Sequence, residues 1–220
     1  MVVTGIDQSG DMVKALTGVP ELLVGFDTET TGLDVTTEQA ISYGFCVYRY
    51  GQPVEVQHFF VVPDRPIGEG ARRVHGLSRE DLEAKRTSHD VLSVAQGVRR
   101  AVGVLSRVHE EGGFVVGANV RRFDLAMLRH TSAALSPEQG VGIFDPSHLR
   151  IIDVIENDFA IDPGRGARPR RSLTHLCAHY GVPAGGHDAA GDARAAVEVL
   201  IEQVVQVNAG QRELGLLPPR

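Results

Sequence analysis

Hydrophobic and polar positions along this chain follow two rhythms. Leu22–Phe26 is a short apolar run, while Ile41–Tyr50 and Val54–Val62 are rich in β-branched and aromatic residues. These read as three strands, the last two forming a hairpin joined at Gly51-Gln52-Pro53. Pro63 to Pro66 breaks the pattern. Val74-His75-Gly76-Leu77 then reads as a turn leading into a capped helical start at Ser78-Arg79-Glu80-Asp81. From about Asp90 the period changes. Val91, Val94, Val98, Val102, Leu105 and Val108 recur at helical spacing, and Gly112-Gly113 is the expected stop.

Phe114–Gly117 reads as a buried strand, and Phe123–His130 opens the next helix. Ser136–Pro146 is loop-like, and a strand follows within His148–Val154. Leu173–Tyr180 is a helix closed by Gly181, and Ala189–Val207 is a long, alanine-rich final helix. Strands and helices in this order predict an α/β layer fold, a mixed central sheet flanked by helices. Residues 1–20 are weakly patterned, with one short helix expected over Asp11–Leu16. Residues 21–208 read as a single domain and 209–220 as a tail.

Composition narrows this picture only slightly. The 220 residues are 42% hydrophobic and 23% charged, an ordinary profile for one sizeable core. No apolar window approaches the roughly eighteen residues of a membrane-spanning helix. Met1–Asp11 lacks the basic and apolar regions of a secretory signal. Cys46 and Cys177 form no CxxC pair, so a reducing cytoplasm is the expected setting. The net charge of −6 does not advertise a nucleic-acid binder. Arg165, Arg168, Arg170 and Arg171 nevertheless fall in a stretch, Pro163 to His187, with no acidic residue. That stretch reads either as a patch for an anionic substrate or as a solvated loop.

The candidate chemistry lies in carboxylates at apolar positions. Asp27 and Glu29, two residues apart at the end of the first strand, share one face. Two adjacent anions at a buried strand end are costly without a cation. Asp124 is followed at helical spacing by Met127 and Leu128, and Asp192 by Ala195, Ala196, Val199 and Leu200. Each therefore starts an apolar stripe near a helix N-terminus, where a lone Asp could serve as a cap. Four such carboxylates are more economically explained as oxygen ligands for Mg²⁺ or Mn²⁺. His187 follows Gly185-Gly186 in the loop entering the last helix, free to lean over that site as a base. His58, His75, His89, His109, His130, His148, His175 and His179 receive no role beyond packing or surface.

These residues, in this order, resemble the DnaQ-like DEDDh family of 3′–5′ exonucleases. Phe26-Asp27-Thr28-Glu29-Thr30-Thr31-Gly32-Leu33 is similar to its first motif, and His187-Asp188-Ala189-Ala190-Gly191-Asp192-Ala193 to its third. Arg73–Ser78 is similar to a segment often found between the first two motifs. The second motif departs from the family pattern. In Gly117–Asp124, Ala118 stands where the family has His, and one additional residue precedes Phe123. The resemblance implies a ribonuclease-H-like fold and two Mg²⁺ (or Mn²⁺) ions held by Asp27, Glu29, Asp124 and Asp192. It also implies His187 as the base that activates water. Thr30, Gly32 and Leu33 would line the terminal-nucleotide pocket, with Asn119 helping to position substrate.

The implied reaction releases nucleoside 5′-monophosphates from the 3′ end of single-stranded DNA, in proofreading or repair. Ile152–Val182 looks more like the proofreading ε-type members than like oligoribonucleases. An RNA-processing enzyme of the same mechanism is the alternative, and a non-catalytic nucleic-acid-binding module a further one. All five site residues are present, which disfavours the latter. A replicative polymerase or sliding clamp is a candidate partner: Gln211-Arg212-Glu213-Leu214-Gly215-Leu216 has the loose form of a clamp-binding peptide. Such a pattern is common by chance, and an ordinary tail is the plainer reading. No membrane partner is expected.

Overall fold

A computed structural model describes residues 18–135, 137–164 and 171–213. The order is β1 (Leu22–Thr30), β2 (Ala40–Arg49), β3 (Gln52–Val62), α1 (Glu69–His75), α2 (Arg79–Ala84), β4 (Val91–Ser93) and α3 (Val94–Glu110). It continues with β5 (Phe114–Gly117), α4 (Asp124–Ala134), β6 (Ile151–Asp153), α5 (Val154–Ile161), α6 (Leu173–Tyr180) and α7 (Ala189–Glu213). Among the described residues the strands form one sheet in the order β4-β3-β2-β1-β5-β6. β1, β2 and β3 run as an antiparallel meander, while β5 pairs parallel with β1 and β6. The mixed sheet and flanking helices match the expectation.

Each face of the sheet has its own core. Phe26 and Phe45 stack at 4.8 Å on one side, packed with Val98 and Leu105 of α3 and with Leu125 and Leu128 of α4. On the other side Leu23, Cys46 and Tyr48 meet Leu176 of α6 and the Ala193, Ala196, Val197 and Leu200 stripe of α7. Alternating residues of one strand feed opposite layers, as the two-residue period requires. Backbone contact at two glycines seats α7 unusually close to the sheet. A Cβ at Gly25 would come 2.1 Å from the Ala193 carbonyl oxygen, and one at Gly44 2.1 Å from the Ala189 carbonyl carbon. Side chains there would lift the start of α7 off β1 and β2. Asp192 lies between those two contacts.

Several boundaries differ from the sequence reading. The hairpin loop is Tyr50-Gly51, both with positive φ (52° and 77°), the backbone that a tight two-residue connection demands. Gln52 and Pro53 already belong to β3. Pro53 is tolerated there because β4 pairs only with Phe60–Val62, leaving that end of β3 an open edge. Val91–Ser93 is that edge strand and not the start of the long helix. Ser93 caps α3 in a capping box with Gln96. The turn expected at Val74 and His75 is the last turn of α1, which has no buried residue and hence no apolar period to read. Gly76, at φ 74°, terminates it. α5 follows β6 without a break, so its apolar residues merge with the strand signal. α7 extends beyond Val207 to Glu213. The expected Asp11–Leu16 helix, Arg165, Arg168, Arg170, and Leu214 and Leu216 of the clamp-like motif lie outside the described residues. No helix among the described residues is long and apolar enough to cross a membrane.

Candidate active site

Asp27 and Glu29 project from the end of β1 on the face covered by α7. Oxygen atoms of Asp27, Glu29 and Asp192 all lie within 4.8 Å of one another. Asp124 arrives from the opposite layer, as the first residue of α4. The Thr28 hydroxyl, on the other face of β1, donates to Asp124 Oδ1 at 2.6 Å. The end of a single strand therefore draws carboxylates from both helical layers. Asp124 is 2% exposed and Glu29 9%.

The electrostatics follow from this crowding. Burial, and then the charges of Asp124, Asp192, Glu29 and Asp188, hold the Asp27 carboxyl well above the usual range. Glu29 is pushed up to about 8, by burial first and then by Asp192, Asp124 and Asp188. Burial raises Asp124 to about 7 against the downward pull of the Thr28 hydroxyl. Burial also raises Asp192, while the His187 imidazole and the backbone N–H groups of His187 and Gly185 act in the opposite direction. For Asp27 and Glu29 every electrostatic neighbour named here is another anion. A clustered, poorly solvated set of oxygen donors with that imbalance fits a hard divalent cation.

The second motif, irregular in sequence, is regular in its outcome. After β5 the chain turns at Asn119, whose φ of 60° lies in the left-handed region that Asn tolerates better than most residues. The Asn119 N–H donates to Asp153 Oδ1 at 3.1 Å. Its carbonyl accepts from Arg122 N–H at 3.2 Å and Phe123 N–H at 3.0 Å. The additional residue is absorbed in this turn, and Asp124 still begins α4. Arg121 and Arg122 flank Glu156 at 4.0 and 3.7 Å, both exposed.

His187 is exposed, also at a φ of 60°, in the loop before α7. Thr30 is buried, and its hydroxyl donates to the Gly32 carbonyl at 2.7 Å. Glu38 closes against Gly32 and accepts the Thr31 hydroxyl at 2.5 Å. Leu33, beyond that turn, is 86% exposed, and Asn119 is exposed as well. The structure thus brings the four carboxylates to one strand end. His187 is near enough for its charge to bear on Asp192, while Leu33 and Asn119 face solvent.

Four contributors escaped the sequence reading. His75 Nδ1 accepts the Leu77 N–H at 3.1 Å, so its Nε2 carries the proton and donates to the Thr30 carbonyl at 3.2 Å. Asp153 caps α5 and holds the Asn119 turn. Asp188 takes the Gly191 N–H at 3.0 Å, and His58 lies against Asp188. Two of these had readable signals. Asp188 stands directly before an alanine-rich helix, a cap position. His58 interrupts the alternating Val54, Val56, Phe60 row, the same anomaly that marked the aspartates. Arg171, conversely, was counted with the basic patch but is buried, its guanidinium 3.2 Å from Asp158 and 2.8 Å from the Asp162 carbonyl.

Three comparisons with known proteins bear on this three-layer α/β/α fold and the acidic residues at the end of its first strand. The family model described as Exonuclease (RNase T) matches residues 24–200, and the chain belongs to that family, a DnaQ-like one. DNA polymerase III PolC-type from Thermotoga petrophila is 36% identical over 69 residues, covering 31% of this chain and 5% of that protein. The PolC-type enzyme of Mycoplasmopsis pulmonis is 28% identical over 78 residues, again 5% of its length. Among solved structures, E. coli Exonuclease I in complex with a dA13 oligonucleotide matches with a TM-score of 0.64 at 16% identity. That match covers 86% of this chain and 41% of that one. Exonuclease I of Methylocaldum szegediense gives a TM-score of 0.61 at 22% identity, covering 86% and 43%. At these identities the structural likeness shows the fold alone. The chain spans about 5% of the PolC-type relatives and less than half of the Exonuclease I chains.

Proposed function

We propose that this chain is a metal-dependent 3′–5′ exonuclease that removes nucleoside 5′-monophosphates from the 3′ end of single-stranded DNA. The observation that carries the reading is the cluster of Asp27, Glu29 and Asp192 oxygens within 4.8 Å, with Asp124 beside it. Those four carboxylates would hold two Mg²⁺ or Mn²⁺ ions. Divalent cations there supply Lewis-acid stabilisation of the charge that builds on the phosphodiester oxygens. The chain's own residues do the rest. The His187 imidazole takes a proton from the attacking water, and its exposed place in the loop leaves room for that water. Asp192 accepts the backbone N–H of His187, and Asp188 that of Gly191 in the turn that follows. The Thr30–Leu33 turn receives the terminal nucleotide. Exposed Leu33 offers an apolar surface to a base, and Asn119 a polar contact nearby.

DNA is favoured over RNA by the company the chain keeps: PolC-type DNA polymerases, and an Exonuclease I solved with a deoxyoligonucleotide. Proofreading or repair, with a polymerase or sliding clamp as partner, is the matching role. The test uses 5′-labelled single-stranded DNA, matched and mismatched duplex, and RNA, each with Mg²⁺, Mn²⁺ or chelator. A cation-dependent 3′ ladder on single-stranded DNA is expected. No ladder on any substrate would sink the enzyme reading, and a ladder on RNA alone would move it to RNA processing. Deleting residues 209–220 tests the clamp motif: sliding-clamp capture that is unaffected removes it, and the segment is then an ordinary tail.

A further inference from the structure

We propose that His58 is a positioning residue for His187, acting through Asp188; the functional consequence rests on the role of His187 proposed above. The sheet register places Gly44 opposite Asp27, and His58 opposite Gly44. The three residues lie in one row on the face covered by α7. Because Gly44 has no side chain, the first turn of α7 descends onto the sheet there, and His58 stands beside it. His58 Nδ1 is 3.7 Å from Asp188 Oδ1, and its Nε2 is 2.8 Å from Ser42 Oγ. Ser42 Oγ and Nε2 share a hydrogen bond, and the tautomer in which Ser42 donates is the one that turns a ring N–H on Nδ1 toward Asp188. The Phe60 ring, 4.5 Å away, packs against the imidazole.

Asp188 is held on its other side as well. Its Oδ2 accepts the Gly191 N–H at 3.0 Å, and its carbonyl accepts the Asp192 N–H at 2.8 Å. It therefore links the sheet, through His58, to the first turn of α7. His187 is its immediate neighbour and stays at a φ of 60°, a region that a side chain with a Cβ enters only at a cost. That conformation persists because the residues after it are pinned. Ser42, His58 and Asp188 repeat the order of a hydrolase triad, but Ser42 is 1% exposed, so no substrate reaches its hydroxyl. The row conveys orientation. It performs no nucleophilic step.

The experiment uses the full chain and reads hydrogen exchange across residues 184–192 without metal, then kcat, KM and Mn²⁺ affinity. His58→Ala should speed exchange at 187–191 while leaving β1 unchanged. It should lower kcat about tenfold, because a base displaced by even a fraction of its reach loses alignment. KM and Mn²⁺ affinity should stay within about twofold, and His58→Asn, which keeps an N–H donor near Nδ1, should recover most of the loss. His58→Ala combined with Asp188→Ala should be no worse than Asp188→Ala alone. Unchanged exchange, or losses that add in the double variant, would overturn the proposal. So would a defect explained by KM or metal affinity. If His58→Ala does not fold, Ser42→Ala tests the same row, and unaltered exchange there counts against it. A wild-type chain without nuclease activity removes the proposed function, yet exchange still decides whether His58 holds the His187 turn.

Discussion

Two regions of this molecule bury charge, and they do it in opposite ways. Below α6, Asp158 is fully buried with an opposite charge and a hydroxyl in reach: Arg171 Nε at 3.2 Å and the Tyr180 hydroxyl at 2.7 Å. The Arg171 guanidinium also lies over the Phe159 ring at 3.7 Å, and its side chain is 7% exposed. The counter-charge there comes from the chain itself. At the end of β1 burial holds the carboxyls of Asp27, Glu29, Asp124 and Asp192 protonated to higher pH than usual, and the charges of the other carboxylates add to this at Asp27 and Glu29. A buried charge with its counter-charge supplied by the fold is a structural element. One without it marks a place for something brought from outside.

Substitutions should separate the two regions. Asp27→Ala is expected to lower cation-dependent turnover on the order of a thousandfold while leaving the denaturant midpoint of the metal-free protein unchanged or higher. An equally active variant would end the metal-centre reading. Arg171→Ala should do the reverse. It leaves Asp158 buried without its partner, at a cost of about 3 kcal/mol in urea unfolding, with kcat unaltered. A stable Arg171→Ala protein with weakened DNA binding would return Arg171 to the substrate patch. His187→Ala should reduce turnover about a hundredfold with Mn²⁺ affinity preserved in calorimetry. Loss of affinity would make the histidine a ligand or a structural residue.

The last effect is on stability against pH. Glu29 at about 8 and Asp124 at about 7 bind protons in the folded protein that the unfolded chain has already released. Between roughly pH 5 and 8 the metal-free protein should therefore lose stability as pH rises, read as a falling Tm. Saturating Mn²⁺ should flatten that slope, since the cation supplies the missing charge. A slope identical with and without cation would mean that the carboxylates do not bind it. Over the same range, Asp27→Ala should show a shallower slope.

Much of the site was legible because its residues break a local pattern. Asp124 and Asp192 head apolar stripes, and Asp27 and Glu29 end an apolar strand. Partners that obey their local pattern were not legible. Asp153 reads as an ordinary strand end, and His75 as a turn residue. Boundaries failed where two signals run together, as with β6 into α5, or where an edge strand borrows its pairing from a distant segment, as Val91–Ser93 does from Phe60–Val62.

By itself the chain's order of apolar and polar residues determined the layer architecture, the strand carrying the first two carboxylates and the helices carrying the other two. Periodicity is local, and each of those features is a local anomaly within it. Only the tertiary structure decided that Gly25 and Gly44 let α7 settle onto the sheet, that Asp124 meets Thr28 from the opposite layer, and that Arg171 turns inward to Asp158. Those outcomes depend on close packing between segments far apart in sequence. An aspartate in a repulsive cluster and one paired with an arginine look alike in the sequence, and distance alone tells them apart.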